Sequence, residues 1–232
     1  MDALNDCSDP ESLQSRLSQV RAISQSYCIA EGGSHGPDHT ERVFTVALAM
    51  GKQLGADLLV LGTAALLHDV GRKEESLSKG RICHAQKGAE IARELLPALN
   101  FHKTEIEKVC HCIRSHRYRK GDPPSTLEAQ ILFDADKLDS IGAIGIGRAF
   151  LFAGQMGAKL HNPEMSPEES EAYSTEDTAY REFQVKMSRV KEQMLTVLGQ
   201  KLATERHHFM ETYFAQLHRE IYGIEHRINQ LG

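Results

Sequence analysis

The stretch Leu66-Leu67-His68-Asp69-Val70-Gly71 sets an imidazole beside a carboxylate at the end of an apolar run. Neighbouring residues diverge by about 100 degrees on a regular helix, so both side chains reach one ion only where the helix is ending. Gly71 puts an ending there. A His-Asp pair alone also looks like a helix cap, and its partners decide between the readings. Upstream, His39 stands in Gly36-Pro37-Asp38-His39-Thr40-Glu41-Arg42-Val43, where the first core helix begins, with Arg42 three residues further along the same face. Downstream, Asp134, Asp136 and Asp139 fall in an otherwise core-directed helix, where a buried carboxylate is costly without a cation or a hydrogen-bonded partner. Spacing alone leaves the three aspartates as rivals. Imidazoles and carboxylates together make a mixed N/O shell suited to Mn, Mg, Fe, Ni or Co, an ion that activates water and neutralises phosphate oxygens.

These residues need helices to carry them. Val43, Val46, Ala47, Met50 and Leu54 recur at helical spacing before Gly55. Leu58 to Leu67 is apolar almost throughout, with Asp57 placed to cap it, and reads as a helix buried in the middle of the fold. Further helices are predicted at about 85–96, 103–115 and 126–152, then at 180–202 and 205–222. Alternating strand patterns, repeats and low-complexity tracts are missing, so the expectation is an all-α chain forming one compact domain over 1–232. Its metal-site core would span about 36–152, with helices at about 179–223 packed on it.

Composition narrows the function classes. With 27 Lys plus Arg against 32 Asp plus Glu, the formal charge is -5, which disfavours a general affinity for nucleic acid polymers or anionic membranes. No long apolar run or apolar signal core is present, and a cytoplasmic location is expected. The five cysteines at 7, 28, 83, 110 and 112 form no CxxC pair, so they read as reduced thiols; Cys110 and Cys112 would face different ways on a helix. The acidic stretch between Lys159 and Arg181, without Lys or Arg, reads as a solvated loop or a lid. Gly142-Ala143-Ile144-Gly145-Ile146-Gly147 lacks the Lys-Ser/Thr of a phosphate loop and suggests close helix packing instead.

The ordered set of a His at a helix start, His-Asp at a buried helix end and a distant Asp on a core helix resembles the HD superfamily of metal-dependent phosphohydrolases. Asp134-Ala135-Asp136-Lys137-Leu138-Asp139-Ser140-Ile141-Gly142-Ala143-Ile144-Gly145 and Lys201-Leu202-Ala203-Thr204-Glu205-Arg206-His207 resemble two signatures of its small bacterial branch, which includes nucleotide pyrophosphohydrolases. The resemblance implies a compact helical HD-domain fold and metal ligation by His39, His68, Asp69 and Asp136, the aspartate directly before the basic residue. It implies a small-molecule nucleotide substrate, with a nucleoside triphosphate releasing pyrophosphate as the leading reaction. Hydrolysis of a monophosphate or dinucleotide is the alternative, as is a regulator that binds metal and nucleotide without turnover.

A polyphosphate needs further positive charge near the ligands. Lys137 and Arg42 are nearest in sequence, followed by Arg72 and Lys73, each of which also reads as an ordinary ion pair or surface residue. His84 and His116 resemble the extra histidines of HD proteins with two metals, where Asp69 would bridge the ions. Small members of the pyrophosphohydrolase branch generally work with one, and the other reading has His84 capping its helix and a protonated His116 binding phosphate. Sequence leaves the oligomeric state open.

Overall fold

The computed structural model describes residues 10–27, 37–118, 123–162, 166 and 169–223. Cys7, Cys28, Gly36, Glu164 and Glu168 lie outside them. The described residues form helices and turns with no strand, an all-α fold, and the chain divides into two compact units, Met1–Asp136 and Lys137–Gly232. No described helix is long and apolar enough to cross a membrane.

The first unit is organised by α3 (Leu58–Leu67), with every residue from Leu59 to Leu67 buried. A helix apolar on all sides must be surrounded. Helices α1 (Pro10–Tyr27), α2 (Pro37–Leu54) and α6 (Lys103–Ser115) pack on it. Asp57 caps α3 as its sequence position suggests, accepting from the Val60 amide at 3.1 Å. Helix α1, absent from the sequence reading, buries only Leu17, Val20 and Ser24 along one face, too few apolar positions to announce it. Helix α2 begins at Pro37, ahead of the apolar pattern, because proline suits a first helical turn and the turns before Val43 are polar.

After α3 the chain turns through Asp69–Gly71 into the short α4 (Arg72–Leu77). The ending falls where Gly71 suggests, for a different reason. Gly71 has a φ of -86, open to any residue, but a Cβ there would meet His84 O at 2.4 Å and Gly88 N at 2.8 Å. No side chain fits, because α5 (His84–Leu95) runs directly against the turn. Helix α5 lies on α4 and α6.

The predicted helix over 126–152 is two helices, α7 (Leu127–Leu138) and α8 (Gly142–Gln155). Gly142 has a φ of +73, which no continuing right-handed helix allows, and Arg206 donates to the Leu138 carbonyl that a continuing helix would have bonded. The close packing expected of the glycine run holds at Gly145, where a Cβ would meet Ser140 O at 2.4 Å, while Gly147 is open. The C-terminal boundaries also move. Helix α9 (Ala179–Val185) and a 3-10 segment (Met187–Gln193) precede α10 (Val197–Tyr222), which runs unbroken through Ala203 and Thr204. The break falls at Thr196 instead, whose hydroxyl accepts from the Gly199 amide at 2.9 Å and so starts α10. Stacked Phe183 and Phe214 help form the second unit's core. In the acidic segment, Asp177 is buried and paired with Arg181 at 2.9 Å.

Candidate metal centre

Helix ends converge on the site. His68 is the C-terminal cap of α3 and His116 that of α6; His39 lies in the first turn of α2, and His84 is the first residue of α5. All four are buried. Their rings form a row, His39–His68–His116–His84, with successive centroids 5.3, 5.1 and 5.2 Å apart. Asp136, in the last turn of α7, closes one end of the row, and Asp69 lies along its middle.

Two donor clusters result. In the first, His39 Nε2 is 3.3 Å from His68 Nε2 and 3.3 Å from Asp136 Oδ1. In the second, His84 Nε2 is 3.2 Å from His116 Nε2, and Asp69 Oδ1 is 3.4 Å and 3.8 Å from those two nitrogens. The other Asp69 oxygen, Oδ2, faces the first cluster, 3.7 Å from His39 and 3.5 Å from His68. One carboxylate thus addresses both clusters, and the donor atoms of each lie within 4.8 Å of one another.

The donor chemistry fits a divalent cation. His116 Nδ1 donates to Ile113 O at 2.6 Å and His84 Nδ1 to Glu75 Oε2 at 2.7 Å, since carbonyl and carboxylate oxygens only accept. Both Nε2 atoms are therefore bare, and two lone pairs face each other at 3.2 Å. Protonation is a poor remedy. Burial first, then His68, pushes the His116 imidazole down to about 3, and burial and Arg72 also push His84 down. A cation between the nitrogens removes the repulsion. His68 is prepared similarly, with Nδ1 donating to Ala65 O at 2.7 Å. Burial works to raise the Asp69 carboxyl, but His68 and Arg72 hold it well below the usual carboxylate range, so it stays anionic.

The structure brings together His39, His68, Asp69, Asp136, His84 and His116. Of the rival aspartates, Asp134 is buried on α7 outside both clusters, and Asp139 pairs with Arg148 at 2.8 Å. Arg72 donates to Asp69 Oδ2 at 2.5 Å. Lys73 is exposed on α4, Arg42 is half-buried on α2, and Lys137 follows Asp136 in the last turn of α7. Burial pushes the Cys112 thiol up to about 12, leaving it a protonated core group.

Two residues escaped the sequence reading. Glu75 links His84 to Arg117, and Arg117 donates to its other oxygen. The position of Arg117 directly after His116 was the available signal; Glu75 carries none, because only the fold brings α4 to the start of α5.

A family model described as HD domain matches residues 38–141. YpgQ of Bacillus subtilis is 33% identical over 212 residues, covering 89% of this chain and 94% of that protein. A crystal structure of YpgQ in complex with ADP superposes with a TM-score of 0.71 over 92% of this chain and 98% of that one, at 30% identity. A Bacillus thuringiensis HD-superfamily hydrolase gives a TM-score of 0.72 at 26% identity, covering 90% and 97% of the two chains. Ribonuclease Y of Chloroflexus aurantiacus is 33% identical over 106 residues, 46% of this chain and 18% of that protein.

Proposed function

The chain belongs to the HD domain family of metal-dependent phosphohydrolases, and we propose that it hydrolyses a nucleoside triphosphate to the monophosphate and pyrophosphate. The observation that carries this reading is the pair of His/carboxylate clusters joined by Asp69. His39, His68 and Asp136 with Asp69 Oδ2 would hold one divalent ion, and His84 and His116 with Asp69 Oδ1 a second. Such ions supply activated water and neutralise phosphate charge. The chain's own groups do the rest. Burial keeps His84 and His116 neutral so that they present bare nitrogens, and Arg72 fixes the Asp69 carboxylate that serves both clusters. Arg42, Arg72, Lys73 and Lys137 are the cations we assign to the substrate's phosphates, where a departing pyrophosphate concentrates negative charge. The ADP bound by YpgQ supports a nucleotide as the ligand here.

Turnover in oxygen-18 water tests the reaction. Attack at the α-phosphorus breaks its bond to the bridging oxygen, places the label in the nucleoside monophosphate and leaves pyrophosphate unlabelled. Label confined to orthophosphate would contradict the proposal and favour removal of a terminal phosphate. The likeness to Ribonuclease Y favours a second reading, cleavage of RNA phosphodiesters. Full consumption of the triphosphate beside an intact end-labelled RNA dismisses that reading.

A further inference from the structure

The histidines of the site are not all oriented by the same means. His68 and His116 end their helices, and each donates Nδ1–H to the carbonyl three residues earlier, in a last turn that leaves acceptors spare. His84 begins α5, where its own helix offers amide donors and no such carbonyl. Its Nδ1 needs an acceptor from elsewhere and meets Glu75 Oε2 at 2.7 Å, reached from α4. Arg117 grips the other Glu75 oxygen and holds the carboxylate in place. The 3.2 Å between Arg117 Nη1 and His84 Nδ1 is then a contact between two donors sharing one acceptor group.

We propose that Glu75 is a positioning residue that fixes His84 as the Nδ1–H tautomer, so that Nε2 presents a bare lone pair to the second ion. Only the ion half of this proposal rests on the clusters being metal sites. Without Glu75, Nδ1 loses its acceptor and the proton moves to Nε2. There His116 Nε2 at 3.2 Å and Asp69 Oδ1 at 3.4 Å accept it. The second cluster then satisfies itself and excludes the ion, with no change in the number of protons. Carboxylates behind metal-binding histidines serve such an orienting purpose generally.

Two variants of the full chain, Glu75→Gln and Glu75→Ala, test this by two readouts that do not involve turnover. Two-bond proton–nitrogen correlation spectra of the chelated, histidine-labelled protein report the tautomer. Titration with Mn reports how many ions bind and how tightly. Wild type should show Nδ1–H at His84. Glu75→Gln should keep it, because the amide oxygen still accepts, and hold second-ion affinity within about threefold. Glu75→Ala should show Nε2–H and lose about 10- to 100-fold in second-ion affinity, with the ion at His39, His68 and Asp136 unaffected. A purely structural role would lower stability and leave the tautomer alone. Persistence of Nδ1–H in Glu75→Ala, or Nε2–H in wild type, overturns the proposal. A wild-type chain that takes one ion overturns its ion half, while hydrolysis at the first cluster and the tautomer are judged separately.

Discussion

The two donor clusters are built on one plan with one difference. Each takes a histidine from a helix start, His39 or His84, a histidine from a helix end, His68 or His116, and a carboxylate. The C-terminal ends suit the task because their unpaired carbonyls orient His68 and His116 and their dipoles favour nearby cations, whereas the helix starts offer neither. The difference lies in the carboxylate. The first cluster has Asp136 to itself, with Asp69 Oδ2 alongside, whereas the second depends on the Oδ1 atom of that same Asp69. Neither cluster uses the other's histidines, and both lean on Asp69.

Substitutions that separate the clusters should follow that division. Asp69→Asn removes the shared charge, and we expect turnover to fall by about 10³-fold with both ions weakened; loss of only one ion in a metal count would break the comparison. Asp136→Asn touches the first cluster alone and should cost about 10²-fold while the fold and the second ion persist, as melting and metal analysis would show. His84→Ala should cost roughly 30-fold in turnover and one ion, leaving the first in place. Wild-type kinetics in that variant would remove the second cluster from the mechanism.

Acid should expose the buried imidazoles in chelated protein. His116 falls from its ordinary value of 6.5 to about 3 in the folded chain, so between those values the unfolded chain holds a proton that the folded chain lacks. Stability from this residue is complete above pH 6.5 and drops by about 1.4 kcal/mol per pH unit as pH falls toward 3. Denaturant titrations between pH 6.5 and 3 should show a slope in His116→Gln that is shallower than the wild-type slope by about that amount. The smallest effect is predicted outside both clusters. Asp57→Ala at the far end of α3 should cost about 1 kcal/mol of stability through the lost cap and leave KM and metal content unchanged.

What the sequence revealed follows from how locally each feature is encoded. The buried α3 was legible because its apolar run, its Asp57 cap and the turn after His68 are contiguous. His84 and His116 were recognisable at helix boundaries, yet their separation from the first cluster depends on α5 crossing the Gly71 turn, a contact between distant residues. The break between α7 and α8 was hidden for the same reason, since Arg206 comes from 68 positions away to take the Leu138 carbonyl. Choosing Asp136 over Asp134 and Asp139 required the resemblance, because all three share one apolar segment and only tertiary structure distinguishes them.

The most direct test is nucleotide turnover measured against added Mn, starting from protein stripped by a chelator. The two-cluster site predicts negligible turnover without metal and a rise that saturates at two ions per chain. Full turnover in excess chelator would contradict metal-dependent hydrolysis, and saturation at one ion would contradict the second cluster's part in it.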